Sequence, residues 1–407
     1  MANVSVSEWR KLPVSLAELC IDTTLRCGQS FRWKRFRDNE WSCALHGRII
    51  TLKQDSMHLH YRTIRPRLAS PLHSLESSRA SSVAKYLEED DTESLLRQYL
   101  NLAPNLSALY EQWSSKDPNF KKRARQFAGI RILKQDAWEA LVGFICSSNN
   151  NISRISQMVH NLCLHYGALI GYIDDEPLHD FPTPEALTAP GTEAHLRELG
   201  FGYRAGYIAK TALIVAKERP EGWLQALRNP EIFDESKDQE AFPESGREGY
   251  RRAHDELLQL QGVGPKVADC VCLMGLGWSE SVPVDTHVWQ IAQRDYKFGK
   301  GKHKSLTKVT YDAVGDHFRT LWGREAGWAH SVLFTADLKT FSERLTNNIE
   351  VHIDEVKIKQ EGESILESRV VTKREYSLCE VKGELEDVRD GIVLETTRSQ
   401  RAKRRRT

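Results

Sequence analysis

Nowhere in the 407 residues does an apolar run approach the ~18 that a membrane-spanning helix needs, so no membrane partner is expected. The opening MANVSVSEWRKLPVSL lacks the apolar core of a secretory signal. Cysteine is sparse and unpatterned: eight in a chain this long, without framework spacing, predict reduced intracellular thiols instead of disulfides. No ligands fall at zinc spacing, and neither a metal nor another cofactor is expected. An excess of one charge is missing too. The formal net charge of +1 by itself argues against a nucleic-acid partner. The distribution is uneven, however. VKGELEDVRD, within Glu350 to Asp390, is acidic, whereas YKFGKGKHKSLTK (Tyr296 to Lys308) is strongly basic. A compact domain can therefore be locally positive inside a near-neutral chain.

The length predicts two domains and a flanking segment. From Trp9 to Arg62, SFRWKRF, EWSCALHGRIITLKQ and MHLHYR mix aromatic and β-branched residues, with RDNE and HGR as turns, predicting an antiparallel sheet with one solvated face. Pro66 to Ser82 is rich in Ser and Pro and reads as a loop or insertion. From Asp91 the period becomes helical, in DTESLLRQYL, NLSALYEQW, ISRISQMVHNLCLHYG, TEAHLRELG, YRAGYIAKTALIVAKER and AHDELLQL. DAWEALVGFICSSNN starts at a candidate N-cap, Asp136, and is apolar almost all round, which predicts a buried central helix. Asp234 to Tyr250 reads as a polar loop insertion, and KKRAR (Lys121 to Arg125) as a helix surface. The expected fold is α+β: a twisted antiparallel sheet domain with added helices (residues 1–130), a mostly helical domain (131–341), and a disordered tail (342–407) ending in RSQRAKRRRT.

LQGVGPKVADC carries the first chemical signal. A helix ends near Leu260, Gly262 and Gly264 permit backbone conformations closed to other residues, and Pro265 suits a first helical position. The next helix then begins with free N–H groups and a partial positive charge, a site for a phosphate. Lys266 falls in its first turn, where the dipole and partial burial both disfavour the ammonium form and so favour a nucleophilic amine. VPVDTHVWQIAQR follows, with Asp285 where an N-cap belongs. The same carboxylate can stabilise cationic charge developing on a sugar or move a proton.

GVGPKVADC followed by VPVDTH resembles the helix–hairpin–helix DNA glycosylases, and within them the eukaryotic 8-oxoguanine enzymes; GQSFRW (Gly28 to Trp33), FICSSNNNISRI (Phe144 to Ile155) and LGFGYRAGYI (Leu199 to Ile208) agree. The likeness runs from about Trp9 to Lys339. It implies a bifunctional glycosylase and AP lyase of base excision repair, a monomer acting on double-stranded DNA with 8-oxoguanine opposite cytosine. The target nucleotide is flipped into a pocket, because a duplex hides both the base and C1′. By this resemblance Lys266 attacks C1′ and Asp285 assists at the sugar. The carbonyl of Gly28 accepts the N7 hydrogen that guanine lacks. Cys270 and Phe334 sandwich the base, and Met274 and Pro283 belong to the base-binding set. Asn149, Arg154 and Arg204 meet the orphaned cytosine, Tyr203 wedges into the stack, and Gly262, Gly264 and His287 contact the backbone. One position departs from the pattern: His330 stands where the family usually has a glutamine that reads the flipped base, which puts base selectivity in doubt.

Endonuclease III-like and adenine-excising relatives often carry four cysteines for an iron–sulfur cluster after the aspartate. Here Cys20, Cys27, Cys43, Cys146, Cys163, Cys270 and Cys272 all precede Asp285, and only Cys379 follows it. A non-catalytic hairpin that merely grips DNA is the other alternative, and the presence of both Lys266 and Asp285 argues against it. The basic C-terminal cluster predicts a nuclear address and leaves a mitochondrial fraction open.

Overall fold

The computed structural model describes residues 4–66, 90–231, 242–299 and 305–346. The Ser/Pro-rich segment after Pro66, the first part of the expected insertion (234–241), the centre of the basic Tyr296–Lys308 stretch and the basic C-terminal cluster lie outside them. Met1–Asn348 forms one compact unit.

Six strands make the first sheet: β1 (Val4–Val6), β2 (Arg10–Pro13), β3 (Lys34–Arg35), β4 (Trp41–Leu45), β5 (Arg48–Gln54) and β6 (His58–Pro66). All pairs are antiparallel, in the order β1-β6-β5-β4-β3, with β2 also along β6. The HGR turn is a tight hairpin: Leu45 pairs with Arg48, and His46 and Gly47 take φ of 49° and 74°, the left-handed pair that matches strand twist. β1 precedes the stretch that the sequence pattern marks, and SFRWKRF contributes only the two residues of β3.

The expectation of a solvated face holds along β2 and β6, where buried residues alternate with more exposed ones, and fails at the centre of the sheet. Along β4 all five residues are buried. Trp41, Cys43 and Leu45 join a cluster with Leu12, Leu52, Leu59 and Tyr61, while Ala44 and Ile49 pack on the opposite face against Ile170 and Leu178. Those two residues come from a second hairpin, β7 (Leu169–Ile173) and β8 (Glu176–His179), which the sequence pattern does not reveal. Its alternation is broken by an irregularity between Leu169 and Gly171. A side chain at Gly171 would sit 3.2 Å from Ile49 Cδ1, so a glycine there allows the hairpin to lie flat on the sheet.

The helices are α1 (Thr92–Tyr99), α2 (Leu106–Lys116), α3 (Pro118–Ala124), α4 (Ala137–Cys146), α5 (Ile152–Tyr166), α6 (Thr192–Glu198), α7 (Arg204–Leu213), α8 (Glu248–Leu258), α9 (Pro265–Met274), α10 (Thr286–Asp295), α11 (Lys308–Trp322) and α12 (Ala326–Asp337), with shorter turns between some of them. As expected, α4 is the central helix. Asp136 caps it by accepting from the Trp138 and Glu139 amides, and all ten of its residues are buried. The polar stretch after Asp234 ends at Arg247, earlier than the sequence suggests, because Glu248 starts α8 and Tyr250 is buried within it. The ordered chain also runs past Ser342: Phe341 is buried, and Glu343–Thr346 forms a helical turn. Among the described residues no helix is long and apolar enough to cross a membrane.

Candidate active site

Between α8 and α9 the chain reverses at Gly262, whose φ of +81° is a left-handed conformation that side chains disfavour. A Cβ there would also lie 2.4 Å from Tyr207 Cδ2. Gly264 corrects the sequence reading. Its φ of −96° and ψ of 179° are extended backbone open to any residue, and a Cβ would meet nothing within 4 Å. What its missing side chain leaves is bare access to the start of α9, which no side chain caps. Pro265 occupies the first helical position as expected, and Lys266 follows in the first turn.

From Val267 to Met274 α9 is buried, whereas Lys266 is half-buried at its entrance. The Lys266 Nζ donates to Ser147 Oγ at 3.1 Å and stands 5.3 Å from the Phe144 ring centre. Its stem therefore lies along apolar surface while its amine points at one hydroxyl. Cys270 lies one turn further along. Burial pushes its thiol up to about 11, against the opposing pull of nearby Lys266, so it presents a neutral S–H surface. Met274 and Pro283 are buried as well. Asp285 is half-buried and caps α10 by accepting from the Val288 amide at 2.9 Å, which fixes the carboxylate at the helix start.

The turn after α4 joins two sets of residues. Ser147 touches Lys266, while the carbonyl of Ser148 accepts from Tyr203 Oη at 3.0 Å and from the Arg204 guanidinium. Arg204 also donates to Asn149 O at 3.1 Å, and its guanidinium lies 4.5 Å from the Tyr203 ring centre. Arg204 is thus buried against loop carbonyls, not extended outward. Tyr203, at 48% exposure, stands free of the core, and Asn149 and Arg154 are exposed beside it. Asn149 has φ of 49°, so the turn depends on a residue that tolerates the left-handed region.

Gly28 has φ of +83°, and a Cβ on it would come within 3.0 Å of Ile152 Cδ1. The next residue anchors it. Buried Gln29 donates to Arg131 O at 2.7 Å and accepts from the Leu133 amide at 2.9 Å, while its own carbonyl accepts from Gln135 Nε2. On α12, Phe334 is half-buried between His330 and His287, its ring 6.5 Å and 6.2 Å from theirs. His287 is exposed.

His330 is only 4% exposed, and neither ring nitrogen makes a hydrogen bond of ordinary geometry among the described residues. Burial drives its pKa down to about 4, against the weaker upward pull of Asp285 and Asp269, so the ring is neutral at pH 7. Between pH 6.5 and about 4 the unfolded chain binds a proton that the folded chain refuses, so stability falls as the pH drops through that window. By pH 5 the loss amounts to roughly 2 kcal/mol. A His330→Gln protein, unfolded in urea at pH 7 and pH 5, is expected to lose less stability on acidification than wild type; equal losses would show that His330 is not buried as a neutral ring.

Two family profiles match the chain: "8-oxoguanine DNA glycosylase, N-terminal domain" over residues 11–141 and "HhH-GPD superfamily base excision DNA repair protein" over residues 142–312. The N-glycosylase/DNA lyase of Saccharomyces cerevisiae is 37% identical over 350 residues, 81% of this chain and 86% of its own. The chain belongs to the 8-oxoguanine DNA glycosylase family. N-glycosylase/DNA lyase OGG1 of Arabidopsis thaliana is 34% identical over 334 residues, covering 81% of this chain and 80% of its own. The fold also resembles Clostridium acetobutylicum 8-oxoguanine glycosylase/lyase, solved with double-stranded DNA containing cytosine opposite 8-oxoG. There the TM-score is 0.60 at 22% identity, over 81% of this chain and 97% of that one.

In this member of the 8-oxoguanine DNA glycosylase family, sequence reasoning missed Ser147 and Gln29 as supporting residues. Both lie inside the blocks that carry the resemblance, FICSSNNNISRI and GQSFRW. Their partners, Lys266 in one case and Arg131 with Leu133 in the other, are far along the chain, so no local pattern marks the contacts. Among the described residues no group of three or more His, Cys, Asp or Glu is arranged to hold a metal.

Proposed function

We propose that the protein is a bifunctional DNA glycosylase and AP lyase that removes 8-oxoguanine opposite cytosine. The observation that carries this reading is the amine of Lys266, half-buried at an uncapped helix start and grouped with the Asp285 carboxylate, a neutral thiol and a neutral imidazole. The hairpin amides and the helix dipole bind a phosphate and draw the backbone to Lys266. With the nucleotide flipped, the lone pair of Lys266 Nζ forms a bond to C1′ as the glycosidic bond breaks. The electron pair of the glycosidic bond leaves with the base, which takes up a proton. The Asp285 carboxylate stabilises the positive charge that grows on the sugar. Loss of a proton from nitrogen and cleavage of the C1′–O4′ ring bond, whose oxygen takes up a proton and stays on C4′ as a hydroxyl, convert the adduct to an iminium; removal of a C2′ proton then expels the phosphate at C3′ and nicks the strand.

In this reading the flipped base lies between Cys270 and Phe334, with Met274, Pro283 and His330 around it and the Gly28 carbonyl at N7. Asn149, Arg154 and Arg204 meet the cytosine while Tyr203 fills the gap. Arg204 must then exchange its contacts with the Ser148 and Asn149 carbonyls for contacts with the base. His287 and the glycines of the hairpin take phosphates. A single copy of the chain suffices for these contacts, and the basic RSQRAKRRRT fits a nuclear address.

Single-turnover assays on duplexes carrying 8-oxoguanine opposite each of the four bases test the proposal. The expected result is free 8-oxoguanine and a nicked strand, formed fastest opposite cytosine. Equal rates opposite all four would remove the cytosine assignment, and no release opposite any of them would overturn the activity.

A further inference from the structure

Asp269 is a buried carboxylate on the helix that carries Lys266, only 2% exposed. A charge so placed is costly unless donors surround it. Three hydroxyls do. Tyr250 Oη of α8 donates to Oδ1 at 2.6 Å, Ser281 Oγ donates to Oδ1 at 2.7 Å, and Tyr311 Oη of α11 donates to Oδ2. Burial first, and the neighbouring carboxylate second, push both phenols well above their usual range, so both remain donors. His254 Nε2 faces the same carboxylate at 3.8 Å.

The Tyr311 arm continues. Its oxygen accepts the Val284 amide at 3.3 Å, and Val284 immediately precedes Asp285. Ser281 anchors the start of the same segment. The stretch from Ser281 to Asp285 is therefore tied at both ends to the helix of Lys266 through one carboxylate. We infer that Asp269 is a positioning residue for the reaction: through Tyr311 and the Val284 amide it holds the Asp285 carboxylate in register with the Lys266 amine. The inference rests on the reading of Lys266 and Asp285 as the reacting pair. Asp269 itself touches neither sugar nor base.

Tyr250→Phe and Tyr311→Phe separate positioning from plain stability, because each removes one hydroxyl donor from the same carboxylate but only Tyr311 leads to Asp285. Both are expected to lower the melting temperature comparably. Only Tyr311→Phe is expected to slow single-turnover excision, by about tenfold, with the dissociation constant for lesion DNA unchanged. Asp269→Asn should follow Tyr311→Phe. It keeps an Oδ1 acceptor for Tyr250 and Ser281, while its amide group can no longer accept from Tyr311. Rates within twofold of wild type in Tyr311→Phe, or equal slowing in Tyr250→Phe, would overturn the inference. Hydrogen–deuterium exchange across Val284 to Val288 provides a readout independent of the chemistry. Faster exchange is expected in Tyr311→Phe alone, and unchanged exchange there would contradict the tether. A wild-type protein that excises nothing, yet shows this exchange pattern, would sink the proposed activity and leave the tether standing.

Discussion

A Lys266→Gln protein is expected still to bind lesion-containing duplex but to cleave it more than about a thousandfold more slowly than wild type, because removing a covalent nucleophile removes the step itself. Binding survives because the phosphate-gripping features are backbone: the Gly262 turn and the uncapped start of α9 do not depend on the lysine side chain. The fold survives too. Lys266 is half-buried and loses one hydrogen bond, to Ser147, and glutamine keeps a polar end that can reach the same hydroxyl. A stability change within about 1 kcal/mol is expected on that basis. Fluorescence anisotropy beside a gel-based cleavage assay checks both halves. Parallel loss of binding and cleavage would mean that Lys266 is a phosphate contact, and the protein a DNA-gripping module.

The second large effect is at the hairpin. Gly262→Ala forces an L-residue to φ of +81° and drives a methyl group to 2.4 Å from Tyr207 Cδ2 and 2.5 Å from Cγ. The conformational penalty is about 1–2 kcal/mol and the overpacking about 1–3 kcal/mol, so together several kcal/mol are at stake. The displaced ring packs edge-on against Tyr203, with ring centres 5.6 Å apart, so the damage reaches the exposed wedge. Thermal melting should fall by many degrees and DNA affinity by at least about tenfold. Gly264→Ala is the informative partner. Its backbone suits any residue and its surroundings are open, so the melting temperature should hardly move. A drop in DNA affinity without a drop in melting temperature then marks close approach of the DNA backbone, whereas unchanged affinity would remove Gly264 from the interface.

What the sequence makes legible is local. Asp136 before an apolar run, Pro265 after a glycine turn and Asp285 before THVWQ are signals contained in a few residues, and each sits where that chemistry puts it. Position along a helix is equally legible, so Lys266 and Cys270 fall one turn apart on α9. The β7–β8 hairpin escapes notice because Gly171 interrupts the alternation that identifies a strand, and its reason for being glycine is Ile49 on a different sheet. Gly264 shows the reverse: a motif suggests special backbone, and the structure finds ordinary backbone with empty space beside it. The contacts that orient the site, Ser147 on Lys266 and Tyr311 between Asp269 and Val284, join distant segments, and composition and period carry no trace of them. The places of Phe334 and His330 came from the resemblance to a family, since a phenylalanine and a histidine on an apolar helix read as core from pattern alone. His330 is indeed in the core by burial, yet among the described residues its ring nitrogens find no hydrogen bond of ordinary geometry, unlike those of a satisfied core histidine.

The most direct test of the account reads the covalent bond itself. Wild-type protein is incubated with a duplex carrying 8-oxoguanine opposite cytosine, reduced with borohydride during turnover, digested with nuclease and protease, and mapped by mass spectrometry. The expected result is one modified peptide, with the reduced sugar remnant on the side-chain nitrogen of Lys266. A remnant on any other lysine or on the N-terminal amine, or none at all while DNA is still bound, would contradict it.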